Sequence, residues 1–275
     1  MPELPEVETV RRGIAPHVLG QTIARVTVRE HRLRWPIPES FAAWLSGRQI
    51  TALNRRGKYL LFSLDQQNPP DRFIAHLGMS GRLFVLAAPA PPKKHDHVDF
   101  ELGSGAVLRY NDPRRFGAIL PWPGREPGHP LIDEMGPEPL SDAFADHYLW
   151  QRSRGRSQAV KSYIMDGRIV VGVGNIYASE SLFRASIRPG TAAGRLSKPA
   201  YARLQAAIRE VLAEAIAQGG TTLRDFVGGD SQPGYFKQDL YVYDRAELPC
   251  RICNSPIRKR VMGQRMTYYC SSCQQ

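Results

Sequence analysis

Pro121-Trp122-Pro123-Gly124-Arg125-Glu126-Pro127-Gly128-His129-Pro130, continuing to Pro137-Glu138-Pro139, separates two halves of the chain with different hydrophobic periods. Proline removes a backbone donor and glycine loosens the backbone, so this Gly- and Pro-rich stretch reads as a linker. Before it, strands are expected over 22–29, 59–64, 82–86, 97–102 and 106–110, from alternation and short apolar runs between Gly and Pro punctuation. Repeated short strands of this kind suggest a β-sandwich or barrel, with 87–92, rich in Ala and Pro, as a surface loop. After the linker the period becomes helical, with helices expected over 141–151, 158–165, 175–185 and 199–218. The last places Leu204, Ile208, Val211, Leu212, Ala215 and Ile216 on one apolar stripe and stops at Gly219-Gly220. No repeat of fixed period is present. The expected class is α+β: a β-rich half, a helical half and a cysteine-bearing tail.

At 275 residues and 42% hydrophobic content the chain can bury two cores. Its net charge of +11 favours a polyanionic partner, nucleic acid first and an acidic membrane surface second. Glu3, Glu6, Glu8, Arg11 and Arg12 interrupt the opening stretch where a secretory signal needs an apolar run. The apolar runs are also too short to span a bilayer, so a cytoplasmic protein that does not enter the membrane is expected. All four cysteines fall within the last 26 residues, as Cys250-x-x-Cys253 and Cys270-x-x-Cys273. Two such knuckles predict one structural Zn²⁺ with four thiolates and no open coordination position, an iron centre or redox thiols being the alternatives. Arg251, inside the first pair, and Arg258, Lys259, Arg260 and Arg265, between the pairs, come without an acidic residue. Some of that charge balances the thiolates, and the excess suits a hairpin touching phosphates.

The chain opens Met1-Pro2-Glu3-Leu4-Pro5-Glu6. Removal of Met1 would leave Pro2 as a secondary amine, and an α-amino pKa of about 8 keeps a useful fraction neutral. Such an amine condenses with an aldehyde-level carbon to give an iminium electron sink, and Glu3 and Glu6 are carboxyls able to move protons. The same residues also read as an ordinary helix start. Pro5 opens a helix that buries Val7, Val10, Ile14 and Val18 and is open to a kink at Pro16.

Other motifs are less decisive taken singly. Asn111-Asp112-Pro113-Arg114-Arg115-Phe116-Gly117 reads either as a surface turn whose Phe116 folds back into the core or as a wedge entering the space of a displaced base. Met79, in Gly78-Met79-Ser80-Gly81, is a second wedge or core filler. Val171-Gly172-Val173-Gly174-Asn175-Ile176 places a glycine pair before a helix with Asn175 as its N-cap. Lys58 starts a strand after Gly57, and is either a solvated edge or a phosphate contact. His95 is a better phosphate contact than a metal ligand, because His95 and His97 lack further ligands nearby. Arg152, Arg154, Arg156 and Lys161 read as a solvated basic face.

Taken in order, these motifs resemble the bacterial formamidopyrimidine-DNA glycosylases over essentially the whole chain. The resemblance rests on the opening Pro2 to Glu8, the Met79 turn, Lys94-His95-Asp96-His97, Asp112 to Gly117, Gly172 to Glu180, Gly219-Gly220-Thr221-Thr222, Pro233-Gly234-Tyr235-Phe236 and the four cysteines. It implies an N-terminal β-sandwich with a flanking helix, a helical domain with a helix–two-turn–helix element, and a zinc hairpin, over 1–130, 131–238 and 239–275. It also implies base-excision repair of oxidised purines in double-stranded DNA by a monomer, with the DNA between the two halves. Pro2 would attack the sugar C1′, Glu3 would donate the proton for ring opening, and Lys58 and Arg265 would serve the β and δ eliminations. Met79, Arg114 and Phe116 would fill the gap left by the flipped nucleotide. His95, Arg114, Arg156 and Asn175 would contact DNA, and 223–236 would form a mobile loop over the extruded base. Some relatives carry Lys at the position of Arg156, which preserves charge but not the forked geometry. An endonuclease VIII-like enzyme and a noncatalytic zinc-dependent DNA binder are the competing readings. The first usually has Gly in place of Leu4 and lacks the Asp-Pro-Arg-Arg-Phe pattern, and the second has no need of Pro2, Glu3 and Lys58.

Overall fold

The computed structural model describes residues 2–65, 70–126, 128–219 and 240–275. Its two compact units divide between Asp133 and Glu134. The first opens with helix α1 (Leu4–Val18), capped by Glu3 in a reciprocal box with Glu6. Leu4 is its first residue and Pro5 its second, still within the turn whose N–H groups lack helical partners, so the missing donor costs nothing. The helix runs through Pro16 and ends two residues later, at Val18.

Eight strands follow: β1 (Ile23–Val28), β2 (Ile50–Arg56), β3 (Tyr59–Leu64), β4 (Arg72–His76), β5 (Arg82–Leu86), β6 (Asp96–Leu102), β7 (Val107–Asn111) and β8 (Ala118–Trp122), with a short helix α2 (Phe41–Leu45) after β1. They form two antiparallel four-stranded sheets, ordered β1-β6-β7-β5 and β2-β3-β4-β8. Val7, Val10, Ile14 and Val18 of α1 share one core with both sheets. Phe73 of β4 stacks on Phe62 of β3 and on Phe100 of β6, at ring-centroid distances of 4.3 and 5.3 Å, tying one sheet to the other.

Three of these strands lie outside the segments expected from sequence. β2 and β4 lack clean alternation, since β4 buries Phe73, Ile74 and Ala75 in succession. β8 overlaps the start of the linker, and its Pro121 is tolerated because β8 is an edge strand, where one face of the ladder needs no donor.

A short helix α3 (Pro130–Asp133) closes the first stretch of the first unit; in the second, α4 (Tyr148–Ser153) and α5 (Val160–Ile164) precede α6 (Asn175–Arg184) and the long α7 (Lys198–Gly219), which belongs to this unit as far as Ala217. The helix expected over 141–151 is confined to α4, because hydrogen-bonded turns such as Phe144 N–H to Ser141 C=O occupy the preceding residues. The α7 stripe is buried as expected, from Leu204 through Ile216. Strands β9 (Arg258–Met262) and β10 (Arg265–Tyr269) make the tail hairpin, with Gly263 and Gln264 both at positive φ in its two-residue turn. No described helix is long and apolar enough to cross a membrane. Gly220 and the segment expected over 223–236 lie outside the described residues.

Candidate functional site

The amino terminus is presented by a helix locked to the sheet behind it. Pro2 is half-buried, while the Glu3 carboxyl next to it is only 1% exposed. Glu6 Oε2 accepts the Glu3 backbone N–H at 2.8 Å. One turn further on, Glu8 accepts from Arg11 and Arg12 of its own helix and, at 3.0 Å, from Arg55 of β2. Burial pushes the Glu8 carboxyl up, but these three guanidinium groups outweigh it and hold the pKa at about 2. The helix that follows Pro2 is thereby anchored to the strand that leads to Lys58.

Lys58 occupies the two-residue turn between β2 and β3, where Gly57 adopts φ +55. The next residue, Tyr59, stacks on His76 of β4 at 4.5 Å. Burial, with the Arg34 and Lys58 cations nearby, lowers the His76 pKa to about 4, so this imidazole is neutral at physiological pH. Sequence reading passes over His76, because a single histidine at a strand end carries no local signal.

Met79, Arg114 and Phe116 come together on two adjoining turns. Phe116 is 46% exposed, which overturns the alternative in which it folds into the core, and the Arg114 guanidinium lies 4.8 Å from its ring centre. Met79 is half-buried. His95, with φ +73, precedes β6, while its neighbour His97 is buried and bonds the Asp112 carbonyl.

The second unit holds Arg156, Asn175, Arg265 and the cysteines. Arg156 is exposed, in a loop whose backbone bonds Gly194. Asn175 departs from expectation: Gly174 is the N-cap and Asn175 the first helical residue. Its side chain faces the hairpin instead, donating from Nδ2 to the Met266 carbonyl at 3.0 Å, beside exposed Arg265. Lys161 departs further. It is 1% exposed rather than solvated, and its Nζ donates to Asn175 Oδ1 at 2.6 Å, Thr267 Oγ1 at 2.7 Å and the Met266 carbonyl at 3.3 Å. Glu180, also buried, accepts the successive backbone N–H groups of Tyr241, Val242 and Tyr243. Neither role has a signal in the sequence, since each depends on acceptors or donors from a remote segment.

The four cysteine sulfurs lie within 4.8 Å of one another. Cys250 and Cys273 are 3.9 Å apart and Cys253 and Cys270 3.5 Å, close to the edge of about 3.8 Å that a tetrahedral tetrathiolate with metal–sulfur bonds of about 2.3 Å requires. The group suits a metal ion that takes four thiolates.

Two family models match in sequence order: the formamidopyrimidine-DNA glycosylase N-terminal domain over residues 1–119 and the H2TH domain of the same glycosylase over 135–227. Formamidopyrimidine-DNA glycosylases of Pseudomonas putida (strain W619) and Pseudomonas aeruginosa (strain LESB58) are 55% and 56% identical over 274 residues, covering all of both chains. The chain belongs to the formamidopyrimidine-DNA glycosylase family. It is thereby a base-excision repair glycosylase, and the endonuclease VIII-like and noncatalytic readings fall away. Among solved structures, the MutM (Fpg) protein of Thermus thermophilus is 40% identical with a TM-score of 0.84, covering 99% of this chain and 98% of that one. A Lactococcus lactis Fpg variant in complex with Fapy-dG-containing DNA is 32% identical with a TM-score of 0.90, with both chains fully covered.

Proposed function

We propose that this glycosylase removes oxidised purines, 8-oxoguanine and formamidopyrimidines, from double-stranded DNA and then nicks the strand, acting through the imino nitrogen of Pro2 once Met1 is removed. The observation that carries the reading is a half-exposed Pro2 joined directly to a buried carboxyl, Glu3, on a helix clamped through Glu8 and Arg55. The nitrogen attacks C1′ of the damaged nucleotide, the base leaves, and Glu3 donates the proton that lets the sugar ring open to the iminium. The iminium acidifies the adjacent carbon, and β and then δ elimination break the strand on both sides of the lost base. Lys58 and Arg265 serve those two eliminations and also bind phosphate.

His95, Arg114, Arg156 and Asn175 hold the backbone, while Met79, Arg114 and Phe116 fill the gap left by the extruded base. Extrusion costs a few kcal/mol, and a stacked ring with a guanidinium at a turn tip offsets that cost. Residues 1–130 carry Pro2, Glu3 and Lys58 together with the gap-filling residues, 131–238 grip the DNA, and the hairpin of 239–275 adds Arg265 to both tasks. Cys250, Cys253, Cys270 and Cys273 would hold one Zn²⁺, whose role is to fix the hairpin, since four thiolates leave no open position. The enzyme works as a monomer in the cytoplasm.

Borohydride trapping tests this reading. Duplexes with 8-oxoguanine opposite cytosine should give a covalent adduct at Pro2, and more of it than duplexes with thymine glycol opposite adenine. An intact mass showing Met1 retained or Pro2 acylated in active enzyme would overturn it, because an acylated nitrogen has no free lone pair.

A further inference from the structure

The sequence motif Asp112 to Gly117 supplies two wedge residues, Arg114 and Phe116, but its first carboxylate has no part in the chemistry described above. Asp112 is 0% exposed. Its Oδ1 accepts the Ser80 hydroxyl at 2.6 Å and the Arg114 backbone N–H at 3.3 Å, and its Oδ2 accepts the Gly117 N–H at 2.8 Å and the Tyr110 hydroxyl at 3.2 Å. Its main chain is equally committed: the N–H donates to the His95 carbonyl at 3.1 Å, and the carbonyl bonds His97 Nε2 at 2.8 Å.

These partners come from the three segments that carry Met79, His95, and Arg114 with Phe116. Ser80, next to Met79, gives its proton to Asp112 and accepts the Arg114 N–H at 3.1 Å, so the two wedge turns share a bridge. They also touch directly. A Cβ at Gly78 would collide with the backbone of Phe116 and Gly117, and one at Gly117 with the Tyr110 hydroxyl and the His76 carbonyl. Only glycine permits this approach, and Gly78 also has φ +60. A buried carboxylate with four donors is both satisfied and rigid, whereas a half-satisfied one would be costly.

We propose that Asp112 is a positioning residue that locks the Met79 turn, the Arg114–Phe116 turn and His95 into one preformed head, ready to fill the gap when a base is extruded. The proposal rests on the wedge and phosphate roles given to those residues above. Its physical content is that loops ordered before binding do not lose conformational freedom on binding, so lesion capture gains affinity without a further contact. Asparagine cannot replace Asp112 fully, because its amide nitrogen would turn donors toward backbone N–H groups and hydroxyls that are themselves donating.

The test compares wild type, Ser80→Ala and Asp112→Asn on three substrates: duplex with a tetrahydrofuran abasic analogue opposite cytosine, undamaged duplex of the same length, and a single-stranded oligonucleotide bearing an abasic site. Ser80→Ala leaves the buried carboxylate and its other donors in place, so it keeps the fold if Asp112→Asn does not. The expected result for Ser80→Ala is about tenfold weaker binding of the abasic duplex, the scale of one charge-assisted hydrogen bond, with unchanged binding of undamaged duplex and unchanged cleavage of the single strand, which has no gap to fill. Equal affinity for the abasic duplex, or a parallel loss on all three substrates, would overturn the positioning role. Failure of wild type itself to form a Pro2 adduct would instead refute the proposed function, so the two failures are distinguishable.

Discussion

Replacing Lys161 by Met is the most informative single change in the helical unit. The substitution keeps an unbranched apolar stem and removes the ammonium that joins α5 to Asn175 at the start of α6 and to Thr267 and Met266 of β10. Two of the lost bonds are short, 2.6 and 2.7 Å, and bonds to a charged group contribute about 1.5–3 kcal/mol each. Against that loss stands relief from burying the ammonium, several kcal/mol in its own right. The stranded groups keep partial satisfaction: Thr267 Oγ1 still donates to the Arg265 carbonyl, and Asn175 Nδ2 still donates to Met266. The balance favours wild type by about 2 kcal/mol, which at roughly 3–5 °C per kcal/mol lowers the Tm of this unit by about 6–10 °C. Asn175 loses one of the two bonds that orient its amide, so affinity for an abasic-analogue duplex should fall about tenfold, read by titration at several salt concentrations. Because Lys161 is buried, the slope of log affinity against log salt should stay as in wild type. A slope smaller by about one would mean that Lys161 meets a phosphate directly, and would refute the positioning argument. A Tm within about 2 °C of wild type would refute the energetic one.

Glu8 predicts a specific acid sensitivity. Its folded pKa of about 2 lies below the ordinary 4.5, so its contribution is full above pH 4.5 and is lost as pH falls toward 2. The shift corresponds to at most about 3 kcal/mol, roughly halved by solvent screening. Thermal unfolding from about pH 5 to about pH 2.5 should show wild type losing its advantage over Glu8→Gln across that range, and parallel curves would rule the clamp out. Stripping the metal with a thiol-reactive mercurial should release one zinc ion per chain, abolish tight DNA binding and remove amide protection in β9 and β10 while β2, β3 and β4 stay protected. Loss of protection in those strands as well would mean that the metal site supports more than the tail. Arg114→Ala should weaken abasic-duplex capture more than binding of undamaged duplex, and equal losses in competition titrations would reject its wedge role.

Several parts of this molecule are legible along the chain, and the parts that are not share a cause. The Cys-x-x-Cys pairs lie at a spacing that predicts a tetrathiolate site, and the four sulfurs converge as that spacing requires. The α7 stripe follows from helical periodicity and is buried. Phe116 is open between core and wedge in the sequence, because a turn motif does not say which way its ring points, and its exposure excludes the core. β4 has no period to read, because its three central residues are all buried and do not alternate. Asn175 has the chemistry of an N-cap, but Gly174 takes that place and frees the amide to meet β10.

Period and spacing determined the three longest helices, half of the described strands, the thiolate cluster and the order of the motifs, since each depends on residues close in sequence. Tertiary structure alone decided which charged groups are buried. Lys161 meets Thr267 across 106 positions, Glu180 meets Val242 across 62, and Asp112 meets Ser80 across 32. An ionisable side chain is tolerable inside a protein only where donors or acceptors converge on it, and that convergence is a property of the folded chain and of no local segment.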